Sequence, residues 1–151
     1  MDGMYDEITD LSGQLSQELG LKPREVEVTK VAALICDIGL CSVPSDILQK
    51  TDEWTAEEQA LFDRHSEIGS SIVRQSAILR KYSKIIQHHH TKFEVEPQTP
   101  IASRIIGVST DYVRYKRVYG AARALTAIER QSGVQYDPMV VESLKELVSV
   151  Q

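Results

Sequence analysis

With 151 residues, 42% of them hydrophobic and 26% charged, the chain has globular values and fits one domain with a single core. No apolar run approaches the roughly 18 residues a membrane span needs. Seventeen basic against 22 acidic residues give a net charge of −5, and the basic ones are scattered apart from Arg114-Tyr115-Lys116-Arg117, which disfavours nucleic-acid binding.

Helical spacing recurs along the chain and strand-type alternation does not, so the expected class is all-α: one helical bundle of about six to eight helices over residues 1–151. Ile8, Leu11, Leu15 and Leu19 form the stripe of a first helix that ends at Gly20. Pro23 suits the first turn of a second, whose stripe is Val28, Val31, Ala32 and Ile35 and which stops near Gly39. Residues 40–54 read as a connector with a short helical turn at Asp46 to Gln49. Thr55 and Glu58 form a capping box opening one helix with Leu61, His65, Ile68 and Ile72 along its face. After a break near Ser76, a fourth helix carries Tyr82, Ile85, Ile86 and His89. Thr91 to Thr99 is a polar loop, and Thr99-Pro100 opens a long helix with Ile101, Ile105, Val108, Tyr112 and Tyr115 on its stripe. A further helix covers Ala121 to Arg130. Asp137-Pro138 then opens the last, which buries Val141, Leu144 and Val148. No internal repeat, low-complexity tract or linker interrupts this order.

Three of the four histidines are consecutive, His88 to His90, and the fourth, His65, falls on an apolar stripe. His89 and His90 extend the stripe of Ile85 and Ile86 at i+4, so they make the better inward pair. With Asp37 they supply three imidazoles and a carboxylate, a donor set suited to iron, manganese or zinc. On spacing alone, core histidines that cap helices or hydrogen-bond locally explain the pattern as well. Cys36 and Cys41, about 140° apart if their segment is helical, read as free thiols. With no disulfide framework or secretory leader, they point to a cytoplasmic protein. Cys36 is read as inert packing rather than a redox sensor. The run Arg114 to Arg117 reads as a solvated helix face. Tyr112, Tyr115 and Tyr119 recur at i, i+3 and i+7, with core packing as the default and self-association as the alternative.

From Leu11 to Leu147 the chain resembles the HD-GYP family, a branch of the HD phosphohydrolases that cleave cyclic di-GMP. The matching segments, in order, are Leu15 to Leu21, Ala33 to Gly39, Val43 to Leu48, Arg64 to Gly69, His89-His90, Ala102 to Ile106 and Gly133 to Pro138. The resemblance implies two, sometimes three, metal ions sharing a bridging aspartate. Asp37 matches that bridge, and His65, His89 and His90 match the remaining ligands of one metal position. The ligands of the other position fall at Met4, Cys36 and Thr110, where the family has two histidines and an aspartate. Asp111 is adjacent to Thr110, but one helical residue turns its carboxylate by about 100°. Leu40 stands in place of a lysine, and Thr91 to Gln98 replaces the loop that carries Gly-Tyr-Pro.

The resemblance with these changes implies a degenerate domain without cyclic di-GMP hydrolysis, holding one Fe, Mn or Zn ion or none. Its expected role is a regulatory or protein-interaction module in bacterial signalling, with a protein partner or a second copy of itself. The rival reading is a metal-dependent phosphohydrolase with a rearranged site acting on a cyclic dinucleotide or another phosphate ester. A third is ligand binding without turnover. Family members usually carry this domain behind a sensory domain, so the chain is expected to be either a stand-alone domain or a piece of a longer protein.

Overall fold

The structure is a computed structural model, which describes residues 3–150. Among these the regular elements are all helical, and pairing between extended segments is confined to one isolated bridge between Ser132 and Tyr136. In chain order the helices are α1 (Met4–Glu18), α2 (Pro23–Ile35), a 3-10 turn (Ile38–Ser42), α3 (Ser45–Leu48), α4 (Ala56–Asp63) and α5 (His65–Arg74). A second 3-10 turn (Arg80–Tyr82) leads to α6 (Ser83–Gln87), α7 (Ile101–Tyr119), α8 (Ala121–Arg130) and α9 (Pro138–Ser149). No helix is long and apolar enough to cross a membrane among the described residues.

Local chemistry accounts for most of the boundaries. Pro23 stands in the first turn of α2, where its missing N–H costs nothing. Thr55 accepts from the Glu58 amide at 3.2 Å while the Glu58 carboxylate accepts from the Thr55 amide at 2.8 Å, closing the capping box. Asp137 caps α9 by accepting from the Met139 amide at 2.8 Å. The same carboxylate pairs with Arg104 of α7, so the start of α9 is tied to the long helix.

α7 is the axis of the molecule. Ile106 and Val113 face a core shared with Ile8, Ala32, Ala33, Val73 and Ile86. Ile105, Val108 and Tyr112 face a second core with Leu15, Ala124, Ile128, Val140 and Leu144. Each of the fully buried Val, Leu and Ile side chains contributes roughly 1.5–3 kcal/mol by leaving water. Tyr112 is therefore a core residue, whereas Tyr119 is 59% exposed.

Three boundaries differ from the sequence reading; one is that the fourth helix, α6, stops at Gln87, before His89. The helix opened by Thr55 stops at Asp63, and a second begins at His65 after a turn at Arg64. α4 buries nothing and Leu61 is exposed, while α5 buries His65, Ser66, Gly69, Ser70 and Val73. A straight continuation would have carried the solvated face of α4 onward; the turn re-aims the chain so that His65 enters the core. α2 likewise ends at Ile35 rather than near Gly39, and a 3-10 turn from Ile38 to Ser42 packs onto α5.

Candidate metal centre

Asp37 caps the start of the 3-10 turn that follows α2, His65 takes the first position of α5, and His89 and His90 lie in the turn after α6. One ligand atom from each of the four comes within 4.8 Å of the others. Asp37 Oδ1 is 3.3 Å from His65 Nε2 and 3.5 Å from His89 Nε2, and the two imidazole nitrogens are 3.4 Å apart. Donors held about 2.0–2.2 Å from one ion sit roughly 3–3.5 Å from each other, so this triangle has the edge length of a coordination site.

Second partners aim the rings. His65 Nδ1 lies 2.6 Å from the Phe62 carbonyl and His89 Nδ1 lies 2.6 Å from the Ile86 carbonyl. A protein carbonyl can only accept, so both rings carry a proton on Nδ1 and face Asp37 with Nε2, the nitrogen that would ligate. His90 Nε2 and Asp37 Oδ1 are buried without a hydrogen-bond partner. Orphaned polar atoms of this kind are costly in a core, and here both belong to the same four-residue donor set. The residues fit a divalent metal. Burial pushes the His90 imidazole well below its ordinary range, with the neighbouring His89 and His65 adding to the effect, so His90 is a neutral ring able to ligate. Burial on its own would raise the Asp37 carboxyl. The His65 and His89 imidazoles set against Oδ1 and the Arg114 charge outweigh it and hold the group well below the usual carboxylate range.

Close backbone approach holds the donors in place. A Cβ on Gly39 would lie 1.9 Å from the His65 carbonyl oxygen and 2.6 Å from the Gly69 nitrogen. A Cβ on Gly107 of α7 would lie 2.5 Å from the His89 carbonyl oxygen. Gly39 lets the 3-10 turn lie on α5, and Gly107 lets α7 touch the histidine turn. His88 faces away, with Nδ1 3.2 Å from Thr91 Oγ1, as expected of the odd member of the triplet.

Cys36 stands just before Asp37 at the C-terminal cap of α2, while Met4 and Thr110 lie on α1 and α7. Cys36 is wholly buried in the first core and Met4 packs against that cluster. Thr110 is buried and its side chain meets Cys36. Burial, with the Asp37 charge adding to it, pushes the Cys36 thiol far up, so sulfur is held as SH and not as a thiolate ligand. Both cysteines are free; Cys41 is exposed.

Sequence reasoning missed two residues that touch this centre. Arg114 Nη2 pairs with Asp37 Oδ2 at 2.8 Å, and the Tyr5 hydroxyl donates to the same oxygen at 3.2 Å. Burial and the Asp37 carboxylate raise the Tyr5 phenol to about 12, so it stays a donor. The run Arg114 to Arg117 is thus not a uniform solvated face. Arg114 turns inward, and Lys116 and Arg117 pair with Glu7 on α1. Position i+4 after Thr110 was the available signal, since a long side chain there leans back over that residue.

Beside the donors opens a cleft of about 700 Å³, with His90, Asp111, Arg114, Tyr115, Gln135 and Tyr136 among its walls. Asp111 projects into this cleft, where its Oδ2 accepts from the Tyr136 hydroxyl at 2.8 Å, and it is not one of the clustered donors. The loop from Thr91 to Thr99 is pinned at the cleft edge. Its Phe93 and Glu94 amides donate to the carbonyls of Gln135 and Val134, and Gln135 Nε2 donates to the His90 carbonyl.

The HD domain family model matches residues 1–140. The chain belongs to this family. Among curated HD-family relatives, a cyclic di-GMP phosphodiesterase of Thermotoga maritima is 32% identical over 155 residues, covering 91% of this chain and 42% of its own length. The cyclic di-GMP phosphodiesterase response regulator RpfG of Xanthomonas campestris is 24% identical, covering 92% of this chain and 41% of its own. The chain therefore spans less than half the length of these relatives. Bd1817, an HDG"Y"P protein from Bdellovibrio bacteriovorus, superposes with a TM-score of 0.79 at 19% identity over 97% of this chain and 51% of that one. That likeness shows the shared HD-type helical fold.

Proposed function

We propose that this HD domain holds one divalent metal ion on Asp37, His65, His89 and His90, does not hydrolyse cyclic di-GMP, and serves as a regulatory or protein-interaction module in bacterial signalling. The observation that carries this reading is the division of Asp37. Oδ1 faces the histidines, whereas Oδ2 is committed to Arg114 and Tyr5. A carboxylate that bridges two ions offers one oxygen to each. Here the second oxygen is taken, and the positions that match the other metal's ligands are Met4, Cys36 and Thr110. A bound ion would supply Lewis acidity and lower the pKa of a coordinated water, but hydrolysis by a metal pair needs a clamp on both attacking and leaving oxygens. The protein's own part is to aim the His65 and His89 rings, to hold His90 neutral and to keep Asp37 ionised.

The test is metal analysis together with turnover. Purified protein incubated with manganese, iron or zinc is expected to retain one ion per chain and to leave cyclic di-GMP intact. Metal-dependent cleavage that disappears in His65→Ala and Asp37→Ala would overturn the reading. The cleft beside His90 favours one alternative, a phosphohydrolase acting on another ester, because Arg114 and Lys92 offer it cations and Asp111 a carboxylate. Cleavage of a generic phosphodiester by the wild type, lost in His65→Ala, would establish that alternative. Calorimetry with a cyclic dinucleotide separates binding without turnover from both.

A further inference from the structure

The surroundings of Asp37 Oδ2 carry an inference about how this centre counts ions, and it rests on the one-ion reading above. We infer that the Arg114 guanidinium is a built-in cation standing where a second metal would share Asp37, and that it limits the centre to one ion.

Arg114 lies one helical turn beyond Thr110 on α7. Side chains on a helix lean toward its N-terminus, so a long residue at i+4 covers the space in front of residue i. Threonine is short and Arg114 is long, and its guanidinium crosses to the carboxylate: Nη2 reaches Asp37 Oδ2 at 2.8 Å across 77 positions of chain. The Tyr5 hydroxyl, from α1, closes on the same oxygen at 3.2 Å. The other oxygen, Oδ1, has no hydrogen-bond partner and faces His65 and His89. One carboxylate therefore serves two cationic positions, an arginine on one side and a metal-type donor set on the other.

Among the described residues, no other donor cluster replaces the missing ligands. Met4 and Cys36 pack in the apolar core, and Asp111 accepts from Tyr136 in the cleft. Arg114 brings the charge of a cation without needing the anionic and imidazole donors that an ion would require. Its side chain is 28% exposed, and it also lines the cleft.

Metal stoichiometry tests this directly. Three proteins are dialysed against Mn²⁺ and analysed for metal: the wild type, a variant carrying Met4→His, Cys36→His and Thr110→Asp, and that variant with Arg114→Ala added. The expected counts are one, one and two ions per chain. Two ions in the triple variant with Arg114 in place overturn the inference and leave the one-ion reading of the wild type standing. One ion in both engineered proteins overturns it as well, since removing the arginine then opens nothing. A wild type that holds none or two overturns the one-ion reading itself.

Because three core substitutions can prevent folding, single variants provide a second measurement by calorimetry and by the rise of Tm on adding Mn²⁺. Arg114→Ala removes a cation that competes for Asp37 and is expected to tighten Mn²⁺ binding on the order of tenfold, with a larger thermal shift. Arg114→Lys keeps the charge and stays within about twofold of the wild type. A purely structural arginine would not improve metal affinity when removed, so unchanged or weaker binding in Arg114→Ala overturns the inference.

Discussion

Asp37 divides the centre into two sides with different physical characters. On the His65 side the donors sit in turns at helix ends, their rings are aimed by backbone carbonyls, and two glycines allow the backbones to touch. On the Cys36 side the corresponding positions lie within or at the end of α1, α2 and α7, and those helices also build the core. Methionine, cysteine and threonine pack there without disturbing the helices, because a helix tolerates a changed side chain on one face while its other faces stay packed. On the one-ion reading proposed above, half a metal centre has turned into core while the other half stays arranged for an ion. The difference also locates where the arrangement is fragile: in the glycine contacts and not in the altered ligands.

The largest effect is expected at Gly39. In Gly39→Ala the new Cβ meets backbone atoms of His65 and Gly69, which cannot swing away as a side-chain tip could. Stability should fall by about 3 kcal/mol or more, lowering Tm on the order of 10 °C. Thermal denaturation followed by circular dichroism checks this, and a Tm within 2 °C of the wild type would show that the 3-10 turn is not clamped onto α5. Next in size is the contrast between donors. His65→Gln should weaken Mn²⁺ binding by more than about 100-fold, since even outer partners of metal ligands are worth 10–100-fold. Met4→Leu should leave it within about twofold, because that side chain already packs as core. Equal losses in the two variants would erase the distinction between the sides. Gly107→Ala ranks third. Its Cβ would press on a single carbonyl oxygen, that of His89, at an expected cost of about 1–3 kcal/mol, with weaker metal binding as that ring shifts.

Much of this arrangement was legible as local chemistry. Pro23, the Thr55–Glu58 box, Pro100 and Asp137 each mark a helix start through an interaction spanning a few residues, and the structure begins helices at or beside each. The inward pairing of His89 and His90 followed from their continuation of the Ile85–Ile86 stripe, although they sit in a turn rather than on the helix itself. The break at Arg64 was not legible. It serves a tertiary demand, bringing His65 beneath the Gly39 turn, and no proline or glycine marks it in the chain. Arg114 was hidden for the same reason: its partner is 77 residues away, and beside Lys116 and Arg117 it looks like one more surface cation. Asp111 stood next to the altered ligand position, yet its role lies in the cleft, as the 100° step along the helix implied.

The smallest expected effect separates the cleft from the donors. Burial raises the Asp111 carboxyl above its ordinary value, while the Tyr136 hydroxyl and Arg114 only partly offset this. For an acid raised in the folded state, the unfolded chain ionises first, near its ordinary value of about 4. The penalty to the fold therefore appears as pH climbs through that value and is complete once pH passes the higher folded value. Asp111→Asn keeps an oxygen that can accept from Tyr136 and removes the ionisation. The variant should therefore be more stable than the wild type at pH 7, and the advantage should vanish below about pH 4, where both states of Asp111 are protonated. Denaturant titrations at pH 7 and pH 3.5 measure the difference. A variant less stable at pH 7 would mean that the Asp111 charge is held by Arg114 after all, which would join the cleft carboxylate to the same cation that pairs with Asp37 and remove the boundary between the two.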